Sequence, residues 1–477
     1  MTVANKARAG IKWGVLGGIL NQLFSWVATI WVIRLLTPED FALIALSDLA
    51  LGVLLVIGQF GIGAALVRTI NLTKKQTNQS FTALFIVNVI LFSFFQLSAP
   101  FFADLFEQPR LLGLIRLSSI AFLLLPFNVI NGALINRDMQ YKQLHILNVG
   151  IGILQIMVNL SLAMLGYGFW ALAIGAIVAQ CTSAICYSWL TQYSPRLDFS
   201  FDEFKPLVRD SSLNFFHSTA CEINQRVDIF FINHFTGSNA LGLYRVILSL
   251  SEKPVSMIGG LAQQIGLASF SKISEDKSLV GHYVIKSTAV MAMLLFPVFF
   301  GLAATAPNFV PLLLGDRWLS AIIPLQIICI VQLVNAFKVI PGSALFATGF
   351  GKRKLLHVTV AFFAAIVGWG LGLPFGLNVG CMLFAATYVV WFIWHIWDAS
   401  HYILLKQKEY WRCLLIPMSL SVFMFFIVVG INDIMQNLPV LAVLAVQICI
   451  GAFVYIALAL MCFKHHSLNL FKLLKNS

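Results

Sequence analysis

The chain has 477 residues, 59% of them hydrophobic and only 10% charged, with a formal net charge of +12 and a mean hydropathy of +0.88. Average soluble chains carry roughly 25% charged residues, so this composition excludes a soluble globular fold. The basic excess has a simple cause in the Lys/Arg enrichment of cytoplasmic loops, which leaves nucleic acid no role as a partner.

Apolar runs of about 20 residues fit helices across a ~30 Å hydrocarbon layer, not the ten-residue alternating strands of an outer-membrane barrel. The predicted fold class is an all-α polytopic membrane protein with about fourteen transmembrane helices. In chain order the first six run near Trp13 to Leu36, Phe41 to Val67, Ser80 to Ala103, Leu111 to Ile135, Leu144 to Leu165 and Gly168 to Leu190. A polar link from Thr191 to Asp210 is the longest non-apolar stretch. The second series runs near Leu213 to Phe235, Leu241 to Phe270, Tyr283 to Ala306, Ala321 to Thr348, Leu355 to Phe375 and Leu377 to Asp398. Spans near Leu414 to Ile431 and Leu438 to Phe463 close the chain. The expected organisation is an N-terminal lobe over 1–190, a cytoplasmic link over 191–210, a C-terminal lobe over 211–400, and two further helices with a tail over 401–477. The basic N-terminus lacks a small-residue cleavage site after a short apolar core, so the first helix is expected to be retained.

Alternate loops collect Lys and Arg on one side, from Lys6, Arg8 and Lys12 through Lys352, Arg353 and Lys354 to Lys464, Lys472 and Lys475. The opposite loops hold only Arg34, Arg110 and Arg317 among acidic residues. Both termini are therefore expected in the cytoplasm. A repeat links the halves: LLTPEDFALIA from Leu35 and HFTGSNALGLYR from His234 both carry an apolar run, a Thr, a turn and an apolar restart. Two six-helix halves related about an axis along the membrane normal are a common transporter plan.

The sharpest signal is a set of ionisable residues at bilayer depth. Each costs at least ~2.5 kcal/mol in hydrocarbon on insertion scales, so such residues face a bundle interior or a watery cavity. Basic candidates for substrate binding are Arg226, Arg245, Lys253, Arg116 and Lys338; acidic candidates for ion coupling are Asp48, Glu222 and Asp228. Glu222 and Arg226 stand four apart on one helical face, a spacing that suits a self-neutralising pair as well as a lined cavity. In the second reading Arg226, with Arg245 or Lys253, meets an anionic group such as a phosphate, which the planar guanidinium binds bidentately. Lys253 beside Pro254 can also snorkel to water. Asp48 could hold a proton or sodium ion, or hydrogen-bond to a neighbouring helix. Asn21, Gln22, Ser25 and Thr29 suit interhelical hydrogen bonds or a hydrated lining. The histidines show no ligand spacing beyond the tail pair His465 and His466, and Trp391, Trp394 and Trp397 form a packing or interfacial stripe. The eight cysteines include no CxxC pair and read as small buried hydrophobes. No nucleotide-loop or HExxH motif is present; GFGKRK at Gly349 is a basic loop, and neither a cofactor nor a metal is expected.

Several stretches together resemble the polysaccharide transporter family, the Wzx-type branch of the multidrug/oligosaccharidyl-lipid/polysaccharide (MOP) flippase superfamily. They are RLLTPEDFALIA (Arg34 to Ala45), FGIGAALVR (Phe60 to Arg68), PFNVINGALINRDMQYKQL (Pro126 to Leu144), GYGFWALAIG (Gly166 to Gly175), NQRVDIFFINHFTGSNALGLY (Asn224 to Tyr244) and LLGDRW (Leu313 to Trp318). The resemblance implies two lobes around a central cavity that opens alternately to either side of the bacterial inner membrane. It also implies a non-enzymatic flippase whose partners are membrane lipid and an undecaprenyl-diphosphate-linked oligosaccharide, with proton or sodium drive and polysaccharide polymerase machinery as further expected partners. Its rivals are a cation-coupled multidrug antiporter, which would prefer an acidic cavity, and a membrane glycan polymerase, which would need a larger outer loop.

Overall fold

The computed structural model describes residues 26, 28–69, 71–272, 276–435 and 438–465, and every regular element among them is helical. Contacts gather into two compact units, residues 1–245 and 246–477. The first contains α1 (28–35), α2 (Pro38–Gln59), α3 (Ile62–Arg68), α4 (Lys74–Leu105), α5 (Arg110–Ser118), α6 (Ile120–Arg137), α7 (Tyr141–Met164), α8 (Phe169–Thr191), α9 (Phe204–Asn224) and the start of α10 (Val227–Lys272). The second contains the rest of α10, then α11 (Lys277–Phe309), α12 (Ile322–Phe337), α13 (Val339–Ala347), α14 (Gly351–Gly372), α15 (Leu377–Tyr402), α16 (Gln407–Ile434) and α17 (Val440–His465).

Eleven helical stretches among the described residues are long and apolar enough to cross a membrane. The chain is thus a multi-pass membrane protein. Of the expected spans outside these eleven, the first begins in residues outside the described ones, as do Asn21, Gln22, Ser25, His466 and both termini. The seventh and eighth fall on α9 and α10, where Lys205, Arg209, Asp210, Glu222, Arg226 and Asp228 interrupt the apolar run. The expected seventh helix, Leu213 to Phe235, is in fact two: α9 stops at Asn224, Gln225 and Arg226 form a turn, and α10 starts at Val227. A second correction concerns the span near Phe41 to Val67, which Phe60 and Gly61, both at positive φ, divide into α2 and α3.

Local chemistry explains these junctions. Thr37 caps α2, its hydroxyl accepting from the Asp40 amide at 3.3 Å while the Asp40 carboxylate accepts from the Thr37 amide at 2.9 Å, with Pro38 in the first turn where its missing N–H costs nothing. The other oxygen of Asp40 accepts from the Phe169 amide at 3.1 Å, which ties the start of α8 to the start of α2. The matching half of the sequence repeat also marks a junction: α10 changes direction at Gly237 (φ 81°, ψ 175°), a conformation nearly confined to glycine. Beyond it Gly242 meets the Pro38 carbonyl so closely that a β-carbon would lie 1.7 Å from the oxygen. The two repeat junctions therefore pack on each other inside the first unit.

The polar link docks on the N-terminal end of α4. Gln79, wholly buried, donates to Ser200 Oγ and Asp202 Oδ1 and accepts from the Glu203 amide at 3.0 Å. Lys75 pairs with Asp202 at 2.8 Å, and Thr73 donates to Glu203. Tyr193 donates to Asn78 Oδ1 at 2.7 Å, and burial pushes its phenol up to about 12. In the second unit α14 and α15 approach through small residues, with Gly372 against Gly380 and Gly368 against Phe384, the close-contact packing that replaces hydrophobic drive between helices in lipid.

Candidate functional site

Five of the eight ionisable candidates converge at the break between α9 and α10. Arg226 sits in the turn itself. Its Nη1 pairs with the carboxylate of Glu222 and reaches the Glu222 carbonyl at 3.4 Å, an orphan acceptor at the end of α9. Its Nε donates to the backbone carbonyl of Asp48 on α2 at 2.8 Å. Arg245, past the Gly237 bend, donates from Nη2 to Asp48 Oδ2 at 3.1 Å. Asp228, in the first turn of α10, accepts from the Ile229 amide at 2.8 Å and hydrogen-bonds with Tyr244.

The broken helix is what makes this possible. The turn keeps the Arg226 backbone bonded, its N–H to the Ile223 carbonyl at 3.1 Å and its carbonyl to the Phe230 amide at 3.4 Å, while its guanidinium reaches both Glu222 and α2. Carboxylate at the start of α10 and guanidinium at the end of α9 each complement the local helix dipole. The Glu222–Arg226 spacing is thus an ion pair, with side chains 24% and 17% exposed, while Asp48 keeps 47% of its surface open. Three carboxylates meet two guanidiniums here, a surplus of acids over bases.

Arg116, on α5, lies exposed and apart from this cluster; its carbonyl accepts from Gln96 at 3.0 Å. Lys253 and Lys338 belong to the second unit. Lys253 is half-buried on α10. Lys338, at the α12–α13 junction, donates to Asn335 Oδ1 at 2.7 Å and to the Tyr388 hydroxyl at 2.8 Å.

Sequence reasoning missed a cleft of about 290 Å³ between α7 and α8, lined by Asn148, Gln155, Gln180, Ser183 and Tyr187 with Ile151 and two alanines. Amides at positions 148 and 155, seven apart, share a helix face with the groups opposite them on α8, a period-seven polar pattern that was visible in principle. Tyr187 donates to Asn148 Oδ1, and Ser183 donates to Asn128 Oδ1 at 2.9 Å. Amides and hydroxyls of this kind match the donors and acceptors of sugar hydroxyls. Among the described residues no three His, Cys, Asp or Glu side chains are grouped to hold a metal ion.

Comparison with known proteins gives these features a context. The family described as "Polysaccharide biosynthesis protein" matches residues 31–323. The chain is 23% identical over 421 residues to the teichuronic acid biosynthesis protein TuaB of Bacillus subtilis, covering 84% of each chain. It is 22% identical to the lipopolysaccharide biosynthesis protein WzxC of Escherichia coli, over 80% of this chain and 79% of that one. Among solved structures, the lipid II flippase MurJ in an inward closed conformation superposes with a TM-score of 0.77 at 14% identity, over 94% of this chain and 99% of that one. An inward-facing multidrug resistance MATE transporter of the MOP superfamily superposes with a TM-score of 0.62 at 16% identity, over 80% and 95%. The fold is that of MOP-superfamily transporters, and the chain belongs to the polysaccharide biosynthesis protein family.

Proposed function

We propose that this protein is an inner-membrane flippase, not an enzyme, that carries polyprenyl-diphosphate-linked oligosaccharide units from the cytoplasmic to the periplasmic leaflet by alternating access. The observation that carries the reading is the charge network at a broken helix in a chain of this family. A diphosphate cannot cross hydrocarbon unaided, and Arg226 and Arg245 are guanidiniums paired with carboxylates that a phosphate could replace. Protonation of Asp48 would release Arg245 for a phosphate oxygen, and departure of the phosphate together with loss of the Asp48 proton to water would restore the pair. Proton uptake and anion binding are then linked by charge balance. The amide-lined cleft between α7 and α8 is a second polar surface suited to the sugar portion. Arg116 in the first unit and Lys253 and Lys338 in the second are further candidate cations for substrate binding.

The surplus of acids over arginines favours a second reading, a cation-coupled antiporter of the same superfamily. Glycan export separates the two. Cells lacking this chain are complemented with wild type, Arg226→Ala or Arg226→Glu at matched membrane levels. Loss of surface glycan with lipid-linked units accumulating in the inner leaflet, unrescued by either variant, supports the flippase. Units that reach the periplasm without this chain overturn it.

A further inference from the structure

The second unit holds a buried array that the reading above does not use. Asp398 on α15 is 6% exposed, and both its oxygens are engaged. Arg353 on α14 donates from Nη2 to Oδ1 at 2.8 Å and from Nε to Oδ2 at 3.1 Å, and Nε2 of His357 lies 2.7 Å from Oδ2. Nδ1 of His357 lies 2.8 Å from Nδ1 of His395, one turn deeper on α15. Nε2 of His395, in a residue only 3% exposed, has no hydrogen-bond partner among the described residues. The Trp391 indole donates to the His357 carbonyl at 3.1 Å and stacks on the His395 ring, which fixes both imidazoles.

Proton accounting assigns the tautomers. A carboxylate held by a bidentate guanidinium is ionised and only accepts, so His357 Nε2 is the donor to it. A neutral His357 then presents a bare Nδ1, so His395 donates from Nδ1 and keeps a bare Nε2. The array carries one unused basic lone pair at its deep end. The 2.8 Å between the two ring nitrogens is an ordinary N–H···N hydrogen-bond length.

We infer that Asp398, His357 and His395 form a proton-binding relay, loaded at His395 Nε2 and ending at the Arg353–Asp398 ion pair. A proton from water forms a bond at His395 Nε2; the His395 Nδ1 proton passes to His357 Nδ1; the His357 Nε2 proton passes to Asp398 Oδ2. One proton has entered and none has left, and the three groups go from one net negative charge to neutrality. Arg353, 37% exposed at the start of α14, thereby loses its counter-ion beside the basic loop. The other charged or titratable groups around the array are Lys338, bonded to Asn335 and Tyr388; Lys354, over the Phe346 ring; Tyr402, beneath Arg353; and His401, bonded to the Trp397 carbonyl. Toward α16 stand Phe392 on Trp411 and the bond from the Gln407 amide to Ser400 Oγ at 2.7 Å, none of which titrates. As the coupling device of a transporter the relay rests on the function proposed above; as a proton site it stands on this geometry alone.

The test uses full-length protein in phospholipid nanodiscs with ¹⁵N-labelled histidine, compared with Asp398→Asn, His357→Phe and His395→Phe. At neutral pH we expect one ring protonated at Nδ1, a second protonated at Nε2, and an N–N coupling across the hydrogen bond between them. On acidification from about pH 8 to 4 both should change in one step, and Asp398→Asn should remove that step. Two Nε2-protonated rings without coupling, or a pair unchanged over this range while other histidines titrate, would overturn the proton site. If the phenylalanine variants do not fold, the coupling in wild type still decides. Export is then measured against external pH. A wild-type profile flattened by His395→Phe supports coupling, and an identical profile in both overturns it. A wild type without any export defeats the flippase reading and leaves the nuclear resonance result to judge the relay.

Discussion

Gly52 and Arg226 share one space. A β-carbon on Gly52 of α2 would lie 1.8 Å from Arg226 Nη2 and 2.1 Å from its central carbon, so the missing side chain one turn beyond Asp48 is what lets the guanidinium reach the Asp48 carbonyl. Gly52→Ala should therefore displace Arg226 from α2 while leaving its pair with Glu222 in place. The obstacle is the far end of a flexible side chain, so the expected cost is modest, ~1 kcal/mol by thermal unfolding, at the low end of overpacking. Export should fall as it does for Arg226→Lys, which also keeps the charge and loses the fork. Unchanged export with Gly52→Val would show that the Arg226–Asp48 contact is dispensable.

Gly242→Ala meets a harder obstacle. The Pro38 carbonyl belongs to the backbone of a capped helix start and cannot turn aside, so the bent arm of α10 must move away from α2. A loss of ~2 kcal/mol or more is expected, seen as a lower folded fraction in membranes. Gly132→Ala on α6, with nothing within 4 Å of the new methyl, is the control and should be neutral or slightly stabilising.

These contacts show what was legible in the sequence and what was not. The Thr37–Pro38–Glu39–Asp40 cap could be read directly, because capping is a local matter of hydroxyl, carboxylate and first-turn proline. Arg226, Glu222 and Asp228 declared themselves by the cost of charge in an apolar run. The break at Gln225 did not, since no Gly or Pro marks it; it is stabilised by Arg226 bonding to a helix 178 positions earlier. The same limit hid the His357–His395 contact, 38 positions apart, and the docking of the link on Gln79, whose partners lie more than 120 positions away. Residues that need a distant partner look ordinary until that partner is placed.

Asp48 and Arg245 offer a test of whether the cluster is electrostatically coupled. Both remain partly exposed, so their pair is expected to contribute only ~0.5–1 kcal/mol. Asp48→Asn and Arg245→Gln should each lower stability, and the double variant should lose less than the sum by that amount. The coupling should shrink in ~1 M salt, where the screening length is about 3 Å. An additive cycle at low salt would mean that the two side chains are neighbours without interacting, and the proposed exchange between carboxylate and phosphate at Arg245 would lose its basis.

The link supplies a prediction with a definite pH sign. Hydrogen bonds from Lys75 first, then Gln79 and Ser200, hold the Asp202 carboxyl well below the usual carboxylate range, and bonds from Ser200 lower Asp198 in the same way. A carboxyl depressed in the folded state contributes stability that is fully present above its unfolded value near 4 and is lost only as pH falls through the folded one. Asp202→Asn should therefore loosen the link on α4 at neutral pH, raising hydrogen exchange around 198–203 and protease cutting there. The difference from wild type should persist at pH ~5, narrow below pH ~4 and close in stronger acid, once the wild-type carboxyl is itself protonated. Because the side chain is 57% exposed, added salt should shrink the neutral-pH difference as it screens Lys75. Gln79→Ala, which removes a wholly buried amide with three link contacts, should loosen the same segment at every pH and independently of salt. If the Asp202→Asn difference instead grew on acidification, the carboxyl would be protonated in the docked state and the assigned direction of its hydrogen bonds would be reversed.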